Sequence, residues 1–297
     1  MKAVPVPSIK IRWVRGMEDI NINSALVILA LGIRGSGKSV LLEAFAEHYL
    51  SSGNNVFDMF GASSGEGLAW LRSPWVEQEN LPVLLVRGDN LSVTSSWSSK
   101  SWKDVALHDL EANRIVISAT PLYEDKDEEF RAAGSILDLL FQRFGWSKYI
   151  YLLCREASSL FYSRLKLRHD MLAAKSEGSY LLRESRHHGI SLGLDTQKLT
   201  AVDSDFRVLC DYIFFKSQGI WSLPREWWFL YGYFNPTWIR NMRASQFAVI
   251  SRRGSLGVGL NDLPSWHKRA REHILKALAI DVDRGEKEKE RETLAIP

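Results

Sequence analysis

Cysteine is scarce. Only Cys154 and Cys210 occur in 297 residues, each inside an apolar run. That excludes a disulfide scaffold and fits reduced core thiols in a cytoplasmic protein. Long hydrophobic runs are missing as well. The one continuous apolar stretch of note, Ala25–Leu31, falls far short of the ~20 residues that cross a bilayer. The opening Met1-Lys2-Ala3-Val4-Pro5 has no apolar leader core behind it. No membrane span is therefore expected. A surplus of one charge is lacking too: 38 Lys and Arg face 35 Asp and Glu, a net +3. A nucleic-acid partner can be argued only from local clustering, not from that balance. Proline and glycine gather into no linker, and no internal repeat is present.

What remains is short apolar runs alternating with helical stretches, the pattern of βα units around a mostly parallel sheet. Buried strands are expected at Leu26–Leu31, Asn55–Phe60, Pro82–Val86, Arg114–Ser118, Lys148–Cys154, Ile190–Leu194 and Tyr212–Lys216. Apolar spacing places helices at Ser39–Leu50, Glu128–Phe144, about Ser158–Arg186 (weakened at Glu177-Gly178-Ser179) and Ser265–Leu278. The alternation Ile9, Ile11, Trp13 predicts an extra strand ahead of the core. Gly61–Gly67 and the Ser- and Trp-rich Leu91–Lys103 read as surface loops. The expected organisation is an N-terminal strand extension over 1–23, a nucleotide-binding core over 24–220, a basic aromatic-rich extension over 221–280 and a charged, solvated tail over 281–297. The tail carries ten charged residues in seventeen positions, too little to bury.

The strongest signal is Gly32-Ile33-Arg34-Gly35-Ser36-Gly37-Lys38-Ser39, a full match to G-x-x-x-x-G-K-[ST] with an apolar strand before it and an amphipathic helix after it. Glycines let backbone N–H groups turn inward around a phosphate, and the helix N-terminus adds partial positive charge. Lys38 can reach the β and γ oxygens, and the Ser39 hydroxyl can ligate Mg²⁺. Gly32, Arg34, Gly35, Ser36, Gly37, Lys38 and Ser39 are thus the expected ATP-binding residues, with Ser39 on the metal. The loop fixes nucleotide binding and leaves the job open.

An ATPase also needs a carboxylate at the end of another buried strand. The run Tyr149–Cys154 leads into Arg155-Glu156, where Glu156 can orient a water for attack on the γ-phosphate. The familiar pattern has Asp before that Glu, and here the position is Arg155. Asp58 and Asp195 also end apolar strands, and either can supply the missing charge.

Arg183-Glu184-Ser185-Arg186-His187-His188-Gly189-Ile190 turns from a helix into an apolar strand that ends in Asp195-Thr196-Gln197, and Cys210–Lys216 supplies a further strand. With the phosphate loop, this arginine turn, Gly-Ile strand and Thr-Gln end resemble the FtsK- and HerA-type DNA-pumping ATPases, which include viral packaging and conjugation ATPases. The resemblance spans about Ser24–Ser217 and extends to ATPases of archaeal viruses and plasmids. It implies a RecA/FtsK-like α/β core and ATP hydrolysis with Mg²⁺. It further implies a homo-oligomeric ring, a hexamer, acting on double-stranded DNA. Gln197 would sense the γ-phosphate. Arg186, before Arg183, would be the finger reaching a neighbouring subunit's site. A guanidinium suits that role because the transition state spreads negative charge over the γ oxygens.

Between Lys216 and Arg271 nine cations face two acids, interleaved with Trp221, Trp227, Trp228, Phe229, Tyr231, Tyr233, Phe234 and Trp238. A phosphate backbone attracts such a surface, and a core or subunit interface accounts for the same aromatics. Ser251-Arg252-Arg253-Gly254-Ser255 is the best candidate for a phosphate-contacting loop. The leading expectation is a DNA translocase for genome packaging or transfer. The alternatives are an ATP-binding assembly switch, favoured by Arg155, and a P-loop small-molecule kinase, disfavoured because Glu124–Glu129 makes a poor lid.

Overall fold

The computed structural model describes residues 4–61, 65–93, 97–142, 148–155, 157, 169–197, 208–220, 223, 225–263, 266 and 280–282. Thirteen strands are formed among them: β1 (Ile9–Arg15), β2 (Val27–Leu31), β3 (Asn55–Met59), β4 (Val83–Arg87), β5 (Leu91–Val93), β6 (Ser98–Ser101), β7 (Ile115–Ser118), β8 (Ile150–Cys154), β9 (Ile190–Thr196), β10 (Tyr212–Phe215), β11 (Gln246–Ser251), β12 (Leu256–Asn261) and β13 (Ile280–Val282). The described helices are α1 (Lys38–Ser51), α2 (Pro74–Glu77), α3 (Leu107–Ala112), α4 (Lys126–Phe141), α5 (His169–Glu184) and α6 (Pro236–Arg240). The Ser265–Leu278 helix and the tail beyond Val282 lie outside the described residues.

One eleven-stranded sheet runs β1-β12-β11-β10-β2-β9-β8-β3-β7-β4-β6. From β10 to β6 every pairing is parallel. The β10–β11, β11–β12 and β12–β1 pairings are antiparallel. Strands buried on both faces read as continuous apolar runs, and alternate residues feed two cores. On β2, Val27, Leu29 and Leu31 face one side with Ile136, Leu140 and Ala174. Ile28 and Ala30 face the other with Leu41, Phe45 and Tyr49 of α1. Among the described residues this is an α/β P-loop NTPase core: a mostly parallel sheet between helical layers.

Three segments differ from the sequence-based expectation. Leu91–Lys103 contains β5 and the edge strand β6. Its Ser98-Ser99-Lys100-Ser101 pairs through backbone alone and so gives no apolar signal. Of the expected Gly61–Gly67 loop, Glu66 and Gly67 open a 3₁₀ turn, Glu66–Arg72, in which Trp70 is fully buried. Asp281 and Val282, read as tail, belong to β13, which pairs with β5. The basic C-terminal region supplies β11 and β12, which continue the central sheet. Among the described residues no helix is long and apolar enough to cross a membrane.

Candidate nucleotide site

The chain leaving β2 passes through α1 toward β3. The chain leaving β9 crosses to β10 on the other side of β2. Ligands of parallel sheets sit beyond the strand C-termini at such a switch point, and Gly32–Ser39 lies there. Backbone bonds pin the loop on both sides. Gly32 N–H donates to Thr196 O (3.2 Å) and Ile33 N–H to Ser217 O (2.9 Å). Gly37 caps α1 in the left-handed region at φ 86°, and a Cβ there would lie 2.4 Å from Ala244 O. Only glycine meets both demands. That same carbonyl accepts Lys216 Nζ (2.7 Å), which also donates to Asn261 Oδ1 (2.6 Å). Burial pulls the Lys216 ammonium down to about 7.

The loop's residues fit a phosphate. A Cβ on Gly35 would meet nothing within 4 Å. Ser36 is 5% exposed, and its Oγ has no hydrogen-bond partner, as a donor kept for an oxyanion would be. Lys38 Nζ donates to the loop carbonyl of Ile33 (3.1 Å). Arg34 is exposed.

The Ser39 hydroxyl faces two carboxylates, with Asp195 Oδ2 at 3.4 Å and Glu66 Oε2 at 3.5 Å. Glu66 was invisible in the sequence because it reaches the loop through the 3₁₀ turn, not along a strand. Hydroxyl and carboxylate oxygens are the donors Mg²⁺ takes, completed by water and substrate phosphates. Among the described residues no group of three His, Cys, Asp or Glu makes a metal cage, so a cation here would share its shell with nucleotide.

Arg155 stands where the sequence pattern departs from its usual acid. Its side chain is buried and clasped by acids. Nε donates to Asp58 Oδ1 (2.8 Å), and Nη2 donates to Asp58 Oδ2 and Glu43 Oε1 (2.6 Å each). Burial opposes its charge, but the Asp58 and Glu43 carboxylates outweigh that and hold the guanidinium above its usual range. Asp58 also accepts Trp70 Nε1 (2.8 Å). Of the two spare acids in the sequence, Asp58 is therefore engaged with Arg155, and Asp195 lies beside Ser39. Glu156 lies outside the described residues.

Gln197 follows β9 on the loop side of the sheet and is exposed. Arg186 is not at its own loop. It sits ahead of β9, at the N-terminal end of the strand and opposite the loop, paired with Asp211 and more than half exposed. There it lines a cleft of about 1050 Å³ with Arg252, Arg253, Glu18, Asp19 and Asp211. Arg252 and Arg253 are exposed in the β11–β12 turn. Of the aromatic run, Leu230 is buried and Trp227 packs on Phe215 (centroids 5.5 Å), while Trp228, Phe229 and Tyr233 are exposed. Both cysteines are free and buried.

No family model matches the chain, and no curated protein matches it. Among solved structures it is similar to the genome packaging NTPase B204 from Sulfolobus turreted icosahedral virus 2 in complex with ATP-gammaS. That match has 16% identity and a TM-score of 0.47, over 80% of this chain and 98% of that one. It is also similar to the cytoplasmic domain of the Thermomonospora curvata type VII secretion ATPase EccC. There the identity is 15% and the TM-score 0.49, over 88% of this chain and 27% of that one. A third is the pCW3 conjugation coupling protein TcpA in monomer form with ATPgS. That match has 14% identity and a TM-score of 0.49, over 90% and 70% of the two chains. At such scores the overlap carries no argument about function, which rests on the chain's own residues.

Proposed function

We propose that this chain is a Mg²⁺-dependent P-loop ATPase that works as a homo-oligomeric ring, a hexamer, translocating double-stranded DNA in genome packaging or transfer. The observation that carries it is the loop itself. A glycine-capped helix N-terminus, the orphaned Ser36 hydroxyl, Lys38 and the carboxylate-flanked Ser39 converge beyond the C-terminal ends of β2 and β9. In this reading Lys38 swings from the Ile33 carbonyl to the β and γ oxygens of ATP. Ser39 would hold Mg²⁺, which neutralises the charge that develops on the phosphates. Glu156 orients the attacking water, and Gln197 reports the γ-phosphate from the end of β9. Arg186, remote from its own loop, is the group offered to a neighbour's site. That arrangement makes turnover depend on assembly.

The second reading, an ATP-binding assembly switch with little turnover, draws on Arg155, which takes the position of the usual metal-binding Asp. Steady-state ATP hydrolysis with and without double-stranded DNA decides between them. The motor reading expects DNA-stimulated turnover that is abolished in Lys38→Ala and Glu156→Gln. It also expects restoration of activity to an Arg186→Ala subunit mixed with Lys38→Ala. ATP binding without turnover, indifferent to DNA, would sink the motor reading and favour the switch.

A further inference from the structure

Arg155 takes the position of the usual metal-binding Asp after β8, and a carboxylate reaches the loop from a different element. Glu66 opens the Glu66–Arg72 turn, and that turn is anchored rather than loose. Trp70 is fully buried and donates Nε1–H to Asp58 Oδ2 (2.8 Å). A Cβ on Gly67 would come within 3.2 Å of the same carboxylate. The anchor carries the Glu66 side chain to a point where Oε2 lies 3.5 Å from Ser39 Oγ and 3.5 Å from Arg155 Nη1.

Arg155 cannot swing. Asp58 and Glu43 hold its Nε and Nη2, and the residue is 1% exposed. Its remaining nitrogen, Nη1, is buried with no hydrogen-bond partner. At 3.5 Å the Glu66 contact is an ion pair longer than a good hydrogen bond. The buried guanidinium N–H thus meets Glu66 through charge rather than a hydrogen bond, which braces the carboxylate from the Arg155 side.

Charge points the same way. Arg155 is taken up by Asp58 and Glu43, while Glu66 and Asp195 both lie beside Ser39. The surplus negative charge lies on the Ser39 side, where a divalent cation balances it.

Resting on the ATPase reading, we propose that Glu66, braced by Arg155, is the acid of the metal site. With Asp195 it holds the shell of the cation at Ser39, in the role that the strand before Arg155 does not fill.

Manganese binding tests this without turnover, so a chain that binds nucleotide and fails to hydrolyse it still gives an answer. Mn²⁺ would be titrated by electron paramagnetic resonance into wild type, Glu66→Gln, Glu66→Asp, Asp195→Asn and Glu156→Gln. A non-hydrolysable ATP analogue would be present and absent. Glu66→Gln is expected to weaken nucleotide-dependent Mn²⁺ binding about 10- to 100-fold, the usual effect of losing a supporting shell group. Glu66→Asp should recover part of the loss, and affinity for the analogue without metal should stay within a factor of about two. Glu66 is partly exposed, so its amide variant leaves the buried core intact. Wild-type Mn²⁺ affinity in Glu66→Gln, with the loss appearing in Glu156→Gln, would overturn the proposal. So would a wild type that takes up no nucleotide-dependent Mn²⁺.

Discussion

Replacing Arg155 with methionine should destabilise the protein severely. The guanidinium is sealed from solvent and makes charge-assisted bonds to Asp58 and Glu43, both fully buried. Methionine fills a similar volume and leaves two carboxylates without their cation. Breaking a buried ion pair from one side costs about 3–5 kcal/mol, a large part of the ~5–15 kcal/mol that holds a domain together. At roughly 2–4 °C per kcal/mol for a large domain, the melting temperature should fall by about 6–20 °C. Urea unfolding followed by tryptophan fluorescence would read the loss at pH 7. Acidification should shrink it. In the variant the abandoned carboxylates have folded-state pKa values above their unfolded ones. Their contribution is therefore favourable below about pH 4 and is lost as pH rises through the raised values. A triple variant, Arg155→Met with Asp58→Asn and Glu43→Gln, should regain most of the stability because no charge remains buried. A single variant within about 1 kcal/mol of wild type, or a triple no better than the single, would refute the argument that these charges depend on one another.

Gly37→Ala should cost more than Gly53→Ala in thermal unfolding and should also abolish ATP binding. Both glycines have φ above 80°, but only Gly37 faces a carbonyl at 2.4 Å from the added Cβ, while Gly53 meets nothing within 4 Å. Gly53→Ala thus reads the backbone strain alone, about 1–2 kcal/mol, and equal losses would remove the clash from the account. Glu47 lies buried between the indole N–H groups of Trp75 (2.8 Å) and Trp266 (3.2 Å), and burial pushes its carboxyl up to about 7. A raised folded-state pKa gives stability that is present below about 4.5 and lost as pH climbs through 7. Glu47→Gln should flatten the fall in melting temperature between pH 4.5 and 7, and an unchanged slope would contradict that assignment. Glu129, also raised to about 7 by burial, should add to the same slope, so the double variant with Glu129→Gln should be flatter still.

Much of the core was legible because its strands are nearly pure apolar runs. Val27–Leu31, Ile150–Cys154 and Ile190–Thr196 are buried at every position. The phosphate loop was legible for a different reason: its chemistry demands glycines and Lys-Ser at fixed spacing, so position along the chain is enough. The antiparallel edge was harder to see. In β12 the alternation is interrupted by Gly257 and Gly259, which pack tightly against neighbouring strands and carry no apolar signal. The flanking Arg252 and Arg253 drew the reading toward nucleic acid instead. The acids around Ser39 were half legible. Asp195 ends a strand, whereas Glu66 comes into place only through the burial of Trp70. Arg155 was visible as a departure from pattern, but its meaning needed the fold. A guanidinium in an apolar run requires buried acids, and the out-of-place charges were there to be noticed: Asp58 within Val56–Phe60 and Glu43 within Leu41–Ala46.

The edge strand β1 has a consequence for biosynthesis. Among the described residues it pairs with β12 alone, and the contact beside it joins Ser8 to Asp262 across 254 positions. At about 5–20 residues per second, a ribosome takes roughly 13–50 s to make the intervening chain. During that time the parallel core from β2 to β10 can close while Ile9, Ile11 and Trp13 wait without a partner. β1 is thus made before the core strands and docks after them, and Ile9–Arg15 is a segment of the nascent chain that a chaperone would hold until β12 emerges.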